Sequence, residues 1–340
     1  MTNIQNKIKE CFLDWKGKMP ENIFALPHSG SGRQYFRLKD KNNSIIAVYN
    51  NNTIENKAFI EFTKHFASLN INVPTILKSY TEKNIYFQND LGDTQVLNWL
   101  NTNRKNKSFT EAALKLYKQI ILQLINIQVN GGKNLDFSLC YPHSSFDKTS
   151  IQSDLKYFKQ KFLLKTNINF NEIQLEKDFN LFANFLLKTD CIFFMYRDFQ
   201  ARNIMIHKEK PYFIDYQGGR KGALQYDLAS LLYQAKANIP EDTRELLLNY
   251  YIKEVKRKLA INESEFKKYY FAYVLIRILQ TLGAYGNRGL VEKKQHFIDS
   301  IPFAINNLKY IKSKISFLDK TPELANIINT LILNKFEYEQ

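Results

Sequence analysis

Three residues in the stretch "MYRDFQARNIMIHKEKPYFIDYQ" (195–217) have types and spacing that could do chemistry. Asp198, Asn203 and Asp215 stand where the chain is otherwise largely apolar or basic. Short β-type runs surround them: "IFFM", "NIMIHK" and "PYFIDY", with "KEKP" as the turn between the last two. The turn after "IFFMY" is expected to project Asp198 into a cleft. Asn203 starts the hairpin and Asp215 ends it, so folding brings those two side by side. An amide oxygen and a carboxylate at one edge are hard oxygen ligands that suit Mg²⁺. A carboxylate nearby but off the metal can orient a hydroxyl and accept its proton. Metal ligands for a triphosphate and a base for an acceptor are the parts that phosphoryl transfer needs.

The rest of the chain must position these groups. Ile4, Ile8, Cys11, Phe12 and Trp15 share one helical face, so an amphipathic helix opens the chain. "NIFALP", "RQYFRL" and "SIIAVYN" then read as an antiparallel meander, with turns at "HSGSG" and "KDKNN". Helical spacing returns through Phe59, Phe62 and Phe66. "VPTILKSY" and "NIYFQNDLGD" read as two more strands, the second ending in a turn at Leu91-Gly92-Asp93. Beyond residue 93 the pattern is mainly helical. "FTEAALKLYKQIILQLINIQ" is apolar enough to be central in its lobe. "DLASLLYQAKA" is a further helix, with Asp227 placed to cap it.

The formal net charge is +15, from 48 Lys+Arg and 33 Asp+Glu. These charges interleave with Asn and Glu on what read as helix surfaces. They imply a solvated basic surface that suits an anionic substrate, and no nucleic-acid module signature accompanies them. Three cysteines and five histidines are dispersed without metal spacing, which argues against a structural zinc site. The N-terminal "MTNIQNKIKECFLDW" carries charges where a signal peptide needs an apolar run, and no uncharged apolar stretch is long enough to span a bilayer. The expectation is a soluble, cytoplasmic protein with reduced thiols and with neither nucleic acid nor membrane as partner.

"YRDFQARN" followed by "FIDYQ" resembles the catalytic segment of the aminoglycoside/choline-kinase-like phosphotransferases, relatives of the protein kinases. Their pattern is HxDxxxxN and then a hydrophobic-Asp. The resemblance covers nearly the whole chain: the Gly/Ser loop at 29–32, the connector "NDLGD", the catalytic segment and the helix after "QYDLAS". The wording "DYQGGRKGALQYDLASLL" is similar to that of the anomeric sugar kinases. Those phosphorylate N-acetylmuramic acid and N-acetylglucosamine at the C1 hydroxyl in cell-wall recycling. The resemblance implies an α+β, protein-kinase-like bilobal fold. Residues 1–93 would form a small β-rich N-lobe with phosphate loop and connector, and residues 94–340 a larger, mainly helical C-lobe with catalytic loop and metal site. It implies ATP and Mg²⁺, a small sugar as acceptor, and a sugar 1-phosphate for a downstream nucleotidyltransferase. Asp198 would be the catalytic base or positioner, and Asn203 and Asp215 the Mg²⁺ ligands. Ser29, Gly30, Ser31, Gly32 and Arg33 would cover the phosphates. Asn89, Asp90 and Leu91 would meet adenine through main-chain groups.

The chain departs from the family pattern at three places. Tyr196 stands where the pattern usually has His, an architectural position. Tyr49 stands where the strand "IIAVYN" should carry a phosphate-pairing Lys; Arg33, Arg37 or Lys57 could supply that cation. Ala223 stands where Pro is expected. Glu55 or Glu61 could pair with a cation over the phosphates. Arg202 and Arg220 flank the site, either to meet an anionic substrate or as solvated groups. Two alternatives remain open: a kinase for another small hydroxyl compound, of aminoglycoside or choline type, and a nucleotide-binding pseudokinase.

Overall fold

A computed structural model describes residues 3–27, 32–40, 43–104, 108–333 and 337–338. Ser29, Gly30 and Ser31 of the expected phosphate loop lie outside these described residues. Helix α1 (Asn3–Lys16) buries Ile8, Cys11 and Phe12 against one face of a five-stranded sheet. The strands are β1 (Asn22–Ala25), β2 (Gln34–Asp40), β3 (Asn43–Tyr49), β4 (Ile76–Tyr80) and β5 (Ile85–Asn89). They are antiparallel in the order β1-β2-β3-β5-β4.

Alternation along each strand sorts the side chains onto two faces. Phe36, Leu38, Ala47 and Phe87 pack under α1. Ile46, Val48 and Tyr86 join the main core with Phe59, Phe62 and Phe66 of α2 (Thr53–Ser68). Tyr49 belongs to the α1 face, and its hydroxyl donates to Asn51 Oδ1 at 2.5 Å. This corrects the placing of the missing lysine. A shift of one residue exchanges the faces of a strand, and the inward face of β3 carries Ile46 and Val48, with Asn50 just beyond.

The second lobe is built on α3 (Val96–Thr102), α4 (Glu111–Ile125), α5 (Lys148–Lys161), α6 (Glu172–Leu186), α7 (Leu224–Leu232), α8 (Glu241–Val255), α9 (Glu263–Tyr285), α10 (Gln295–Ile298), α11 (Ile301–Ile311) and α12 (Pro322–Ile332). Helix α4 is central, as its apolar sequence requires, and runs on through a π-helical turn to Asn130. Among these helices lie β6 (Phe193–Met195), the hairpin of β7 (Ile204–His207) and β8 (Lys210–Phe213), and β9 (Arg220–Gly222). Strand β9 pairs antiparallel with β6. No β-type run marks "RKG"; the pairing partner makes it a strand. Gly219 beside it has no room for a side chain, because a Cβ would stand 2.1 Å from the Phe194 ring.

Contacts between the lobes are tight at α2. Phe59 stacks on Tyr216 with centroids 5.0 Å apart, and Thr63 Oγ1 lies 2.5 Å from Tyr216 Oη. The β7–β8 hairpin is tied to the connecting segments: Ile206 N donates to Thr94 O at 2.8 Å and Phe213 N to Asn72 O at 2.9 Å. Among the described residues no helix is long and apolar enough to cross a membrane.

Candidate active site

The hairpin brings Asn203 and Asp215 together. Asn203 Nδ2 donates to the Asp198 carbonyl at 3.0 Å and lies 3.5 Å from Asp215 Oδ2. Using the amide nitrogen on the backbone leaves the Asn203 carbonyl oxygen as the atom for a cation. Asp215 has φ +71°, a left-handed conformation that a non-glycine residue adopts only when its surroundings impose it. Tyr196, in the position where the family pattern has His, donates its hydroxyl to the Ile214 carbonyl and so braces Asp215 from behind.

Burial pushes the Asp215 carboxyl up, and Arg33 and Gln217 pull it only part of the way back. Two hard oxygen donors side by side fit Mg²⁺, which takes few protein ligands and completes its shell with phosphate and water. Asn203 and Asp215 are the residues that would hold it. Among the described residues no cluster of three His, Cys, Asp or Glu offers a closed all-protein site.

Asp198 lies on the turn after β6 with its side chain 45% exposed. It accepts from Arg277 Nη2 of α9 at 3.1 Å. Its crowded setting opposes ionisation, but Arg277, then Arg197, Arg202 and Arg220, outweigh that and hold the carboxyl below its ordinary value. Arg277 is buried, donates to Ser230 Oγ at 3.0 Å and also bonds Gln280. Sequence reading missed it; "LIRIL" offers only an arginine in an apolar helix as a signal.

The loop carrying Asp198 is held by Asp227. This residue is not the cap of α7: Ala223 precedes the helix, and Asp227 lies inside the first turn. Its Oδ2 accepts from Tyr196 N at 2.7 Å and its Oδ1 from Arg197 N at 3.0 Å. The helix begins four residues earlier than the capping reading assumed, so the carboxylate points at the Asp198 loop instead. Gln128 Nε2 approaches the same carboxylate at 3.4 Å. Arg197, at φ +80°, makes a two-pronged pair with Asp154 at 2.8 and 2.6 Å and packs on Phe146 and Tyr226.

Arg33 is 1% exposed and reaches both lobes. Its Nη2 donates to Glu55 Oε1 at 2.5 Å and its Nη1 to Asp215 Oδ1 at 3.1 Å. Glu61 instead pairs with Lys64 at the surface. Arg37, two residues from Tyr35 on the same face of β2, is bound at the connector by Asp90 and Asp93. In the connector, Asn89 N donates to Thr75 O at 3.1 Å and Leu91 O lies 3.3 Å from His207 Nδ1, so two of its main-chain groups are already used. The Asp90 carboxylate is likewise taken by Arg37 and Ser44.

A cavity of about 170 Å³ has Arg277, the partner of Asp198, in its wall; Asp198 itself is not among its lining residues. Arg202, Lys236, His296, Gln200, Tyr285 and Asn307 also line it, and no Asp or Glu is among the lining residues. Arg202 and Arg220 are thus separated. Arg202 lines the cavity, while buried Arg220 closes the loop after Asp215 by donating to the Gly218 carbonyl.

No family model matches the chain. It is 23% identical over 311 residues to the N-acetylmuramate/N-acetylglucosamine kinase of Neisseria meningitidis, covering 88% of this chain and 89% of that protein. It is 22% identical over 326 residues to the protein of the same name from Pseudomonas aeruginosa, covering 92% and 88%. Among solved structures it superposes on choline kinase LicA from Streptococcus pneumoniae with a TM-score of 0.59 at 12% identity, covering 92% and 100%. The ADP-bound aminoglycoside phosphotransferase APH(2″)-Ib gives 0.57 at 13%, covering 88% and 96%. The chain is a phosphotransferase with the protein-kinase-like fold of the choline kinases and aminoglycoside phosphotransferases, and its sequence resembles that of the N-acetylmuramate/N-acetylglucosamine kinases over most of its length.

Proposed function

We propose that the protein is an ATP- and Mg²⁺-dependent kinase for the anomeric (C1) hydroxyl of an N-acetylated amino sugar, N-acetylmuramate or N-acetylglucosamine, serving cell-wall recycling in the cytoplasm. The observation that supports the acceptor class is the cavity with Arg277, the partner of Asp198, in its wall, whose lining also includes Arg202 and Lys236 and no Asp or Glu. A cationic acceptor of choline or aminoglycoside type would bring its charge among three cations. A neutral or acidic sugar would not, and the names of the sequence relatives point the same way.

In this reading ATP lies between the lobes, its adenine against the connector at Asn89, Asp90 and Leu91 and its phosphates under Gly32 and Arg33. Asn203 and Asp215 hold Mg²⁺, which when bound neutralises charge on the phosphates. Asp198 accepts a hydrogen bond from the C1 hydroxyl and takes its proton late in the transfer. Arg277 keeps Asp198 ionised and oriented for that. The C1 hydroxyl is the most acidic on the ring, so a carboxylate of low basicity suffices. The product, a glycosyl phosphate, is the substrate class that a nucleotidyltransferase consumes.

The test compares each free sugar with its methyl glycoside, which lacks only the reacting O–H. ATP should be consumed with the free sugar alone, and the product should be acid-labile. Comparable turnover of the methyl glycoside would overturn the anomeric assignment, and turnover of choline but of no sugar would overturn the acceptor class.

A further inference from the structure

We propose that Arg33, held between Glu55 and Asp215, is the phosphate-clamping cation of this protein. The inference rests on the kinase reading of the cleft. Strand β3, where a lysine would be sought, presents Ser44, Ile46 and Val48 on its inward face and no cation. The other basic candidates are engaged or distant: Arg37 is bound by Asp90 and Asp93, and Lys57 is exposed on α2. Of these candidates Arg33 alone is buried between the lobes, just before β2, with a carboxylate from each lobe on its two Nη atoms.

Glu55 makes this anchorage rigid. It stands in the first turn of α2, where Asn52 caps the helix by accepting from Glu55 N. Its Oε2 accepts from Asn50 Nδ2 at 2.8 Å, so Oε1 is held on Arg33. The two carboxylates carry one more negative charge than the guanidinium supplies. A metal at Asp215 would replace Arg33 there, and the fork geometry of arginine lets Nη2 stay on Glu55 while Nη1 turns to a phosphate oxygen. Among the described residues the Nε of Arg33 has no hydrogen-bond partner, and it is a further donor for such a rearrangement.

The test is calorimetric titration of Mg-ATP and of adenosine into wild type, Arg33→Met and Arg33→Lys. A lost charge-assisted hydrogen bond to phosphate corresponds to about 10- to 100-fold in affinity. Arg33→Met should weaken Mg-ATP by that factor and leave adenosine within about twofold. Arg33→Lys reaches one carboxylate or the phosphate but not both, and should fall between. It decides the matter if Arg33→Met does not fold. Mg-ATP affinity equal to wild type in the folded variants, or an equal loss for adenosine, overturns the assignment while the kinase reading stands. Failure of wild type to bind Mg-ATP at all overturns both.

Discussion

The carboxylate proposed as base is held ionised by an arginine, so Asp198 acts by position and not by raised basicity. Its carboxyl lies below its ordinary value because Arg277 and three further arginines overcome the effect of burial. Asp198→Asn keeps the shape and removes proton acceptance, and should lower turnover by roughly 10²–10⁴-fold with Mg-ATP affinity retained; single-turnover rates beside calorimetry measure both. Arg277→Met removes the nearest positive charge, so the Asp198 pKa must rise. The acid limb of kcat/KM should move to higher pH than in wild type. An unmoved limb would show that Arg277 serves Asp198 only by packing.

At the scale of elements, α7 holds the loop that carries Asp198 through a side chain that leaves the helix. Asp227 satisfies two backbone N–H groups, one of them on Arg197 at positive φ. Removing a buried acceptor from two donors costs about 2–4 kcal/mol, so Asp227→Ala should lose roughly that in urea unfolding. The loss should depend on pH. Burial pushes Asp227 up from 3.8 to about 7 despite its hydrogen bonds. A carboxyl raised in the folded state binds its proton more tightly there. Its contribution is complete below the unfolded value and declines as pH rises through about 7. The difference between wild type and Asp227→Ala should therefore be larger at acid than at mildly alkaline pH; a constant difference would show that the aspartate is ionised throughout. Helix α2 is the second positioning element. Phe59 on Tyr216 and Thr63 on the same hydroxyl lock it to the large lobe, which keeps Glu55 over the cleft.

For the molecule as a whole, a net charge of +15 accompanies a proposed acceptor cavity lined by Arg202, Lys236 and Arg277. Fields of this kind concentrate anions and are screened by salt within about 10 Å at 0.1 M. If acidic sugars enter by this route, the KM for N-acetylmuramate should rise steeply with ionic strength and that for neutral N-acetylglucosamine much less. Parallel salt dependence would assign the effect to ATP instead.

The sequence by itself determined what is local. Asp198, Asn203 and Asp215 fall within one turn and one hairpin, so chain connectivity brings them together. The apolar stripe of α1 and the meander of β1–β3 are likewise set by periods of 3.6 and 2. Tertiary structure alone decided the groups that come from afar. Arg277 reaches Asp198 across 79 residues and Arg33 reaches Asp215 across 182. It also decided that Tyr49 faces α1, since one residue of register exchanges the faces of a strand, and that "RKG" is a strand at all. Local periodicity states which face of an element is apolar. Which distant side chains that face meets is set by how helices and lobes pack, and a buried arginine shows its partner only when two carboxylates have been folded against it.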